Sequence, residues 1–255
     1  MKHGGSIHRA GIFWTGRAGL AMAASLLLLP ALSPSPAESA ASFETTVTAK
    51  TLPAPLRSAG WRLLEVPGKA TAVFSQDRPD RIEIRAENAV AFLYRALDEN
   101  MDAKRRLLWS WRLDEAVPPT DLSQAPGDDR SLAVHLVFPM DETGFSLWQR
   151  VEMAMTRLVA PPLSGKVLTY VWGGSQAPGS VMANPFLESR GRIIVLRGGS
   201  APLGHWLQEE IDFVADYRAA FGSEPPAPSY VALSADSDDT ASRSVGVIAD
   251  LLFEN

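Results

Sequence analysis

The sequence predicts a mainly β protein, a jelly-roll-like β-sandwich with one or two covering helices. Short apolar runs alternate with clusters of turn-forming residues along most of the chain, as in all-β proteins. Some runs alternate with a period of two, as in Arg81–Ala86, where Ile82, Ile84 and Ala86 share one face. No repeat of 20–50 residues and no long linker divides the sequence, so we expect a single domain.

The first 41 residues have the layout of a secretory signal peptide. Three basic residues precede Ala18–Leu32, an apolar stretch that is shorter than the roughly 20 residues needed to span a bilayer. Small residues place the cleavage site between Ala37 and Ala41, and an uncleaved anchor is the alternative. We therefore expect export to the periplasm of a Gram-negative bacterium, or secretion, with no membrane span after cleavage.

Composition excludes several classes of partner. The chain has 24 basic and 29 acidic residues and no cysteine. Three of the basic residues and one of the acidic residues lie in positions 1–41, which leaves 21 against 28 and a net charge of −7. An acidic chain without a basic run argues against nucleic acid and anionic membrane surfaces. Without cysteine, neither a disulfide nor a thiolate site can form.

Residues 42–60 are small, polar and proline-containing, and we expect them to form a loose lead-in to a domain over residues 61–255. One run, Val90–Leu97, also fits a helix, but the alternation of its apolar residues favours a strand. The predicted strands are Arg62–Val66, Ala70–Ser75, Arg81–Ala86, Val90–Leu97, Leu107–Leu113, Leu132–Phe138, Val167–Trp172, Arg192–Leu196, Tyr230–Ser234 and Ser244–Phe253.

Two segments have helical spacing. Ser146–Val159 ends before a double proline, which cannot continue a helix. The second segment runs from about Trp206 to Phe221, and Gly222 occupies the position of a C-terminal cap. The apolar stripes are Leu147, Val151, Met155 and Leu158 in the first segment and Leu207, Ile211, Val214 and Phe221 in the second. We expect these stripes to face the sandwich.

Several short motifs in a fixed order resemble one bacterial family. They are Leu108-Trp109-Ser110-Trp111-Arg112, Gly127-Asp128-Asp129, Tyr170-Val171-Trp172, Asn184-Pro185, the acidic and aromatic residues between Trp206 and Pro226, and Asp236-Ser237-Asp238-Asp239-Thr240. Over roughly residues 60 to 253 the chain resembles the secreted family called domain of unknown function 3047. The resemblance implies an exported single-domain protein with a galactose-binding-like jelly roll, and it brings no reaction or cofactor with it.

The acidic run Asp236, Asp238 and Asp239 offers hard oxygen ligands at closely spaced positions, which suits calcium. The run lacks the glycine and the final glutamate of an EF-hand loop. Aspartate and serine are also ordinary turn residues, and this run lies between two predicted strands. Two interpretations therefore stay open, a solvated turn and a site for structural calcium.

Asp128 and Asp129 lie just before a strand. We expect them to cap backbone N–H groups or to pair with Arg112, and contact with a ligand is the alternative. Six tryptophans remain outside the signal, of which Trp109 and Trp111 share one strand face and are expected in the core. Trp172 precedes two glycines and is the candidate for an exposed ring that stacks on a sugar.

Four acids, Glu209, Glu210, Asp212 and Asp216, fall on the second predicted helix, where a solvated face is the simplest interpretation. Paired carboxylates can also divide acid and base roles in glycoside hydrolysis. On that basis the weak catalytic candidates are Asp128, Asp129, Glu210 and Asp212. His135 lies inside a predicted strand and is expected to be structural. No nucleophile elbow, zinc helix, phosphate loop or dinucleotide fingerprint is present in the sequence.

The leading hypothesis is a non-catalytic sandwich that binds a saccharide or another component of the cell envelope. The first alternative is a glycosidase-like envelope hydrolase that works through carboxylates. The second is a structural interaction protein without a small-molecule site. Structural calcium is the only cofactor that the sequence suggests, and the oligomeric state stays open.

Overall fold

Two β-sheets packed face to face make up the body of the protein in a computed structural model that describes residues 52–143 and 145–255. This confirms the predicted mainly β sandwich with few helices. The predicted signal peptide, residues 1–41, and residues 42–51 of the lead-in lie outside the described residues.

The described elements are twelve strands and three α-helices, with short 3₁₀ turns at Glu99–Ala103 and Pro161–Leu163. The strands are β1 Arg62–Glu65, β2 Val73–Arg78, β3 Arg81–Glu87, β4 Val90–Ala96, β5 Arg106–Glu115, β6 Arg130–Phe138, β7 Lys166–Trp172, β8 Val181–Asn184, β9 Glu188–Arg197, β10 Leu207–Asp212, β11 Tyr230–Asp236 and β12 Arg243–Glu254. The helices are α1 Ala54–Ser58, α2 Leu147–Val159 and α3 Phe213–Phe221.

The larger sheet has the order β1-β4-β11-β6-β7-β9-β8, and the smaller sheet has the order β10-β5-β12-β3-β2. Neighbouring strands are antiparallel except β7 and β9, which are parallel. The chain crosses between the sheets repeatedly, from β4 to β5, from β5 to β6 and from β11 to β12. Such crossings are typical of jelly-roll sandwiches, and they bring distant loops together at each end.

Aromatic residues fill the space between the sheets. Trp111 of β5 packs against Trp109 and against Trp172 of β7, with ring centroids 5.4 Å apart in both pairs. Tyr170 adds a further ring contact, at 5.9 Å from Trp109. Burial of these large rings is a major source of stability for the sandwich. The prediction that Trp109 and Trp111 belong to the core is confirmed.

The segment Trp206–Phe221 is not one helix, and that prediction is wrong. Leu207–Asp212 forms strand β10 against β5, and only Phe213–Phe221 is helical. A spacing of four between Leu207 and Ile211 fits both a helical stripe and the inward face of a strand, so the pattern is ambiguous. The helix begins where the Asp212 side chain accepts a hydrogen bond from the backbone of Ala215, at 2.8 Å.

Helix α2 lies where the sequence predicts it, but its apolar stripe does not cover the sandwich. Leu147, Val151, Met155 and Leu158 are exposed, and Met153, which lies off the stripe, is buried instead. The N-terminus carries the full capping box formed by Ser146 and Gln149.

Two further differences concern short elements. Within the predicted loose lead-in, Ala54–Ser58 forms helix α1, and Leu56 is completely buried. Strand β8 was not predicted because it is a short edge strand with mostly exposed residues. None of the helices in the described part of the chain is long and apolar enough to cross a membrane.

Candidate functional site

One row of residues crosses the outer face of the five-stranded sheet. In register order from β10 to β2, this outer-face row consists of Gln208, Ser110, Ala249, Arg81 and Arg78. Residues in register on neighbouring strands point to the same side of a sheet. The residues that alternate with this row on β5 and β12 belong to the core, so the row itself faces away from the core.

The outer-face row forms the floor of an open groove with a volume of about 580 Å³. Ser110 and Ala249 are small and occupy the middle of the row, which leaves a depression between longer side chains. The rest of the lining consists of Trp206, Leu207, Asp80 and Asp250. The groove therefore combines positively and negatively charged side chains with an aromatic ring, around a depression lined by two small residues.

Trp206 precedes β10 at the edge of this groove and is 42 % exposed. The guanidinium carbons of Arg81 and Arg112 lie 5.2 and 5.3 Å from the centre of its ring, within cation–π range. Arg112 is itself fixed by Asp114 through two hydrogen bonds of 2.8 Å. The hydrogen bond to Asp114 also raises the pKa of Arg112. These contacts hold the indole in place while part of it stays accessible.

Four exposed polar side chains of the groove have no partner within the described chain. Arg78, Asp80, Gln208 and Asp250 make no side-chain hydrogen bond or ion pair to another described residue. Their hydrogen-bonding groups are available to a ligand. Two arginines and two aspartates line the groove, so its charges are balanced.

Trp172 does not supply an exposed ring, contrary to the prediction. It is 0 % exposed and packs edge-on against Trp111. Trp172 is the last residue of β7, where strand alternation still places its side chain on the inner face, so the two glycines that follow do not release it. Among the tryptophans whose side chains the structure describes, Trp206 is the exposed one.

Asp128, Asp129 and the acidic run after β11 meet at one end of the sandwich. Arg130, a residue that the sequence reasoning missed, is buried there at the start of β6. Its Nη1 donates to Asp128 Oδ2 at 2.8 Å, and its Nη2 lies 3.4 Å from Asp236 Oδ2. Burial raises the pKa of Asp128 despite this partner. The sequence signal was present, since two acids followed by an arginine open a strand.

Asp129 caps backbone groups, as one of its two predicted roles required. It accepts hydrogen bonds from the backbone N–H groups of Asp239 and Thr240, at 3.2 and 2.8 Å, and from the Thr240 hydroxyl. The predicted pairing with Arg112 does not occur, because Arg112 pairs with Asp114. Asp129 therefore ties the loop between β11 and β12 to the start of β6.

The acidic cluster has the oxygen donors that a hard cation uses. One carboxylate oxygen each from Asp129, Asp236 and Asp238 lies within 4.8 Å of the others. Lys69 pairs with Asp238, and its Nζ is 3.5 Å from Asp239. Burial raises the pKa of Asp236 to about 8, and the Arg130 charge opposes that shift. The two cations leave an excess of carboxylates that a proton or a metal ion can balance.

The four predicted catalytic acids do not share a cleft. Asp128 and Asp129 lie beyond the end of β5, since Thr120 donates to the Asp129 carbonyl. Glu210 pairs with Arg106 at 2.6 Å, at the start of the same strand. Ten residues of β5 separate these points, which amounts to about 30 Å of extended chain. Glycoside hydrolysis needs carboxylates roughly 5–9.5 Å apart, so these two pairs cannot act together.

Asp212 and Glu209 also differ from the predicted acidic face. Asp212 is the N-cap of α3, and Glu209 points inward from β10. Glu209 accepts a hydrogen bond from Trp111 Nε1 at 2.8 Å and two from Arg197 of β9, at 2.7 and 3.1 Å. This carboxylate therefore links the edge strand β10, which begins directly after Trp206, to residues of both sheets. Asp216 accepts a hydrogen bond from the buried Tyr170 hydroxyl at 3.0 Å.

His135 and Ser234 resemble a nucleophile–base pair in distance only. The ring Nε2 is 2.9 Å from Ser234 Oγ, and the ring Nδ1 is 3.0 Å from Thr169 Oγ1. Both residues are buried, and a threonine hydroxyl stands where a catalytic triad has a carboxylate. Burial lowers the pKa of His135 to about 3, which makes it a weak base. The arrangement is a satisfied polar network inside the sheet.

Comparison with known proteins gives a family and a distant structural likeness. A family model described as protein of unknown function (DUF3047) matches residues 59–252. Among curated proteins, none matches the chain. Among solved structures, the xyloglucanase domain of NopAA, a type three effector from Sinorhizobium fredii in complex with cellobiose, is similar at 8 % identity and a TM-score of 0.42. That similarity covers 77 % of this chain and 95 % of the other, and at this TM-score it carries no functional argument.

Proposed function

The chain belongs to the DUF3047 family of proteins of unknown function, and we propose that it is a non-catalytic binding protein for a saccharide. The ligand lies in the groove on the outer face of the five-stranded sheet. One observation carries the proposal: Trp206, an accessible tryptophan, lies in the same groove as exposed polar side chains that have no partner within the described chain.

The chemistry of the groove suits a sugar better than an apolar or a strongly charged ligand. Sugars present C–H faces that pack on an aromatic ring and hydroxyl groups that both donate and accept hydrogen bonds. Trp206 offers the ring, and Arg78, Gln208 and Asp80 offer donors and acceptors along the same groove. The balanced charge gives no electrostatic preference for an anion or a cation.

We infer a binding protein and not a glycosidase because the carboxyl groups of the groove lack the environment that a general acid needs. Asp80 and Asp250 are its two carboxylates, and both are exposed. Glycosidases keep one carboxyl group protonated by burial or by a neighbouring charge. Release of reducing sugar by the purified protein, abolished by Asp80→Asn or Asp250→Asn, would favour the hydrolase alternative instead.

Export to the periplasm and a ligand from the cell envelope form part of the same proposal. They are supported by the basic and apolar layout of residues 1–41. Mass analysis of the protein from a periplasmic extract tests this part. We expect an N-terminus between residues 38 and 42, and an intact N-terminus on a cytoplasmic protein would contradict export.

A structural calcium ion at the acidic cluster is a second, independent proposal. The three carboxylate oxygens within 4.8 Å of one another support it, and stabilisation of the loops is the expected effect. We expect calcium to raise the melting temperature of the wild-type protein but not of Asp238→Asn. An identical melting curve with calcium and with a chelator would reject the ion.

Binding to a panel of envelope polysaccharides and their oligosaccharides tests the main proposal. We expect at least one ligand to bind the wild-type protein and Trp206→Ala to bind it about tenfold more weakly or worse, because stacked aromatic residues are frequent hot spots. Phe186→Ala is the matched control, since Phe186 is also an exposed ring, 64 % accessible, but lies in the turn between β8 and β9 of the other sheet. No binding to any ligand, or equal binding by Trp206→Ala, would overturn the proposal.

A further inference from the structure

Helix α2 presents its apolar side to solvent, the reverse of an ordinary surface helix. Leu147 is 80 % exposed and Leu158 is 74 % exposed, with Val151 and Met155 between them. The helix has a complete N-terminal capping box, so it is a formed element and not a frayed loop. These apolar side chains are contiguous on one side of the helix, unlike the scattered single apolar residues of an ordinary surface, and contiguous exposed apolar residues mark interaction sites.

The spacing within this surface is that of a helix-pairing seam. Leu147, Val151, Ala154 and Leu158 follow one another at intervals of four, three and four residues. This is the a/d spacing of coiled coils, which keeps a stripe aligned with a second helix at a crossing angle of about 20°. A helix is therefore the occupant that this stripe fits.

The seam is also symmetric about its centre, between positions 152 and 153. In an antiparallel pair related by a two-fold axis at that point, Leu147 meets Leu158 of the other helix, and Val151 meets Ala154. Leucine thus meets leucine at both ends of the seam, and valine meets alanine in the middle. Self-complementarity of this kind is what a two-fold interface requires.

We propose that α2 is a homodimer interface, in which the seam Leu147, Val151, Ala154 and Leu158 pairs antiparallel with the same seam of a second copy. The same axis sets Arg150 opposite Met155 of the second copy, so these arginines do not oppose each other. A single pair of 13-residue helices is a small contact by the standard of specific protein interfaces, so we expect a weak dimer.

A lipid surface fits the stripe less well. Arg150 and Arg157 flank it, but Arg150 donates to backbone carbonyls of its own chain and Arg157 pairs with Glu142. Amphipathic helices that lie on membranes use free basic residues toward anionic lipid, and the chain as a whole is acidic.

Sedimentation velocity over a range of concentrations tests the proposal on the purified chain expressed from its full sequence. We expect a monomer–dimer equilibrium and a dissociation constant at least tenfold higher for Leu158→Lys. Leu203→Lys is the matched control, because Leu203 is an exposed leucine, 45 % accessible, away from α2. Thermal melting checks that both variants are folded. We expect both to fold, because the two substituted leucines are exposed in the wild-type protein.

Cross-linking tests the antiparallel register. The chain has no cysteine, so Val151→Cys and Ala154→Cys introduce single thiols. An oxidised mixture of the two variants should give the mixed disulfide. Val151→Cys mixed with Arg85→Cys, which lies on β3 of the five-stranded sheet, should not.

Three results would overturn the proposal. They are a wild-type protein that stays monomeric at all concentrations, a dimer unaffected by Leu158→Lys, and a monomer that binds phosphatidylglycerol vesicles through Leu158.

Discussion

Burial keeps the His135 imidazole neutral, and this has a consequence for stability in acid. The pKa of His135 falls from the ordinary 6.5 to about 3, first because of desolvation and then because of the Arg130 charge. Between these two values the unfolded chain binds a proton that the folded chain does not. The free energy of unfolding therefore decreases as the pH falls from 6.5 toward 3, by roughly 5 kcal/mol in the limit.

The variant His135→Gln isolates this contribution, because an amide can still hydrogen-bond to Thr169 and Ser234 but does not titrate. We expect the wild-type protein to lose more stability than the variant when denaturation is measured at pH values from about 7 down to about 4. Equal slopes for the two proteins over that range would show that His135 is accessible to protons in the folded state.

Arg130 is the residue on which the acidic end depends most. It is buried between Asp128 and Asp236, and its loss would leave their carboxyl groups without a cation. We expect Arg130→Met to lower the free energy of unfolding by about 3–5 kcal/mol, as for other broken buried pairs.

Adding Asp128→Asn to Arg130→Met should restore part of this loss, since it removes one of the two buried acids. Arg85→Met is the control, because Arg85 pairs with Glu83 on an exposed surface and such pairs contribute about 0–1 kcal/mol. Similar losses for Arg130→Met and Arg85→Met in chemical denaturation would contradict the role assigned to Arg130.

At the scale of elements, β10 joins the sandwich core to the groove. Glu209 holds this edge strand through Trp111 and Arg197. We expect Glu209→Ala to cost about 2 kcal/mol, because it leaves a buried indole N–H and an arginine without their acceptor. Faster amide hydrogen exchange in Leu207–Asp212 is the local readout, and Glu209→Gln should show a smaller effect because it can still accept from Trp111.

Glu210→Ala provides the matched comparison on the same strand. Glu210 is exposed and pairs with Arg106, so we expect a change below about 1 kcal/mol. If both variants exchanged at the wild-type rate, β10 would be held by its backbone ladder to β5 alone.

The same strand shows what local sequence can and cannot predict. The strands predicted at Arg81–Ala86 and Val167–Trp172 are present, because their apolar residues alternate or run continuously between turns. The spacing of Leu207 and Ile211 fits both a helix and a strand. Pairing with β5, about 100 residues away in the chain, makes this segment a strand. The exposure of the apolar side of α2 could not be predicted either. Amphipathic spacing predicts a helix with an apolar side, but it does not determine whether that side is buried against the same chain.

At the scale of the whole molecule, both candidate sites arise from strand order. The acidic cluster joins Asp129 to Thr240 across 111 positions, and the groove needs five strands in register. The sequence predicted several of the acidic residues because they are clustered in short motifs. It could not predict that Ser110, Ala249 and Arg81 share a row, since no short motif connects them.

Trp206 is an intrinsic fluorescent probe of saccharide binding in the groove. The other tryptophans with described side chains are buried, so contact with a ligand in the groove should change the emission of Trp206 above all. Titration of the wild-type protein with the best ligand of the saccharide panel should change its tryptophan fluorescence in a saturable way, and Trp206→Phe should lose that change. The same fluorescence change in both proteins on binding of a saccharide would show that the ligand does not lie beside Trp206.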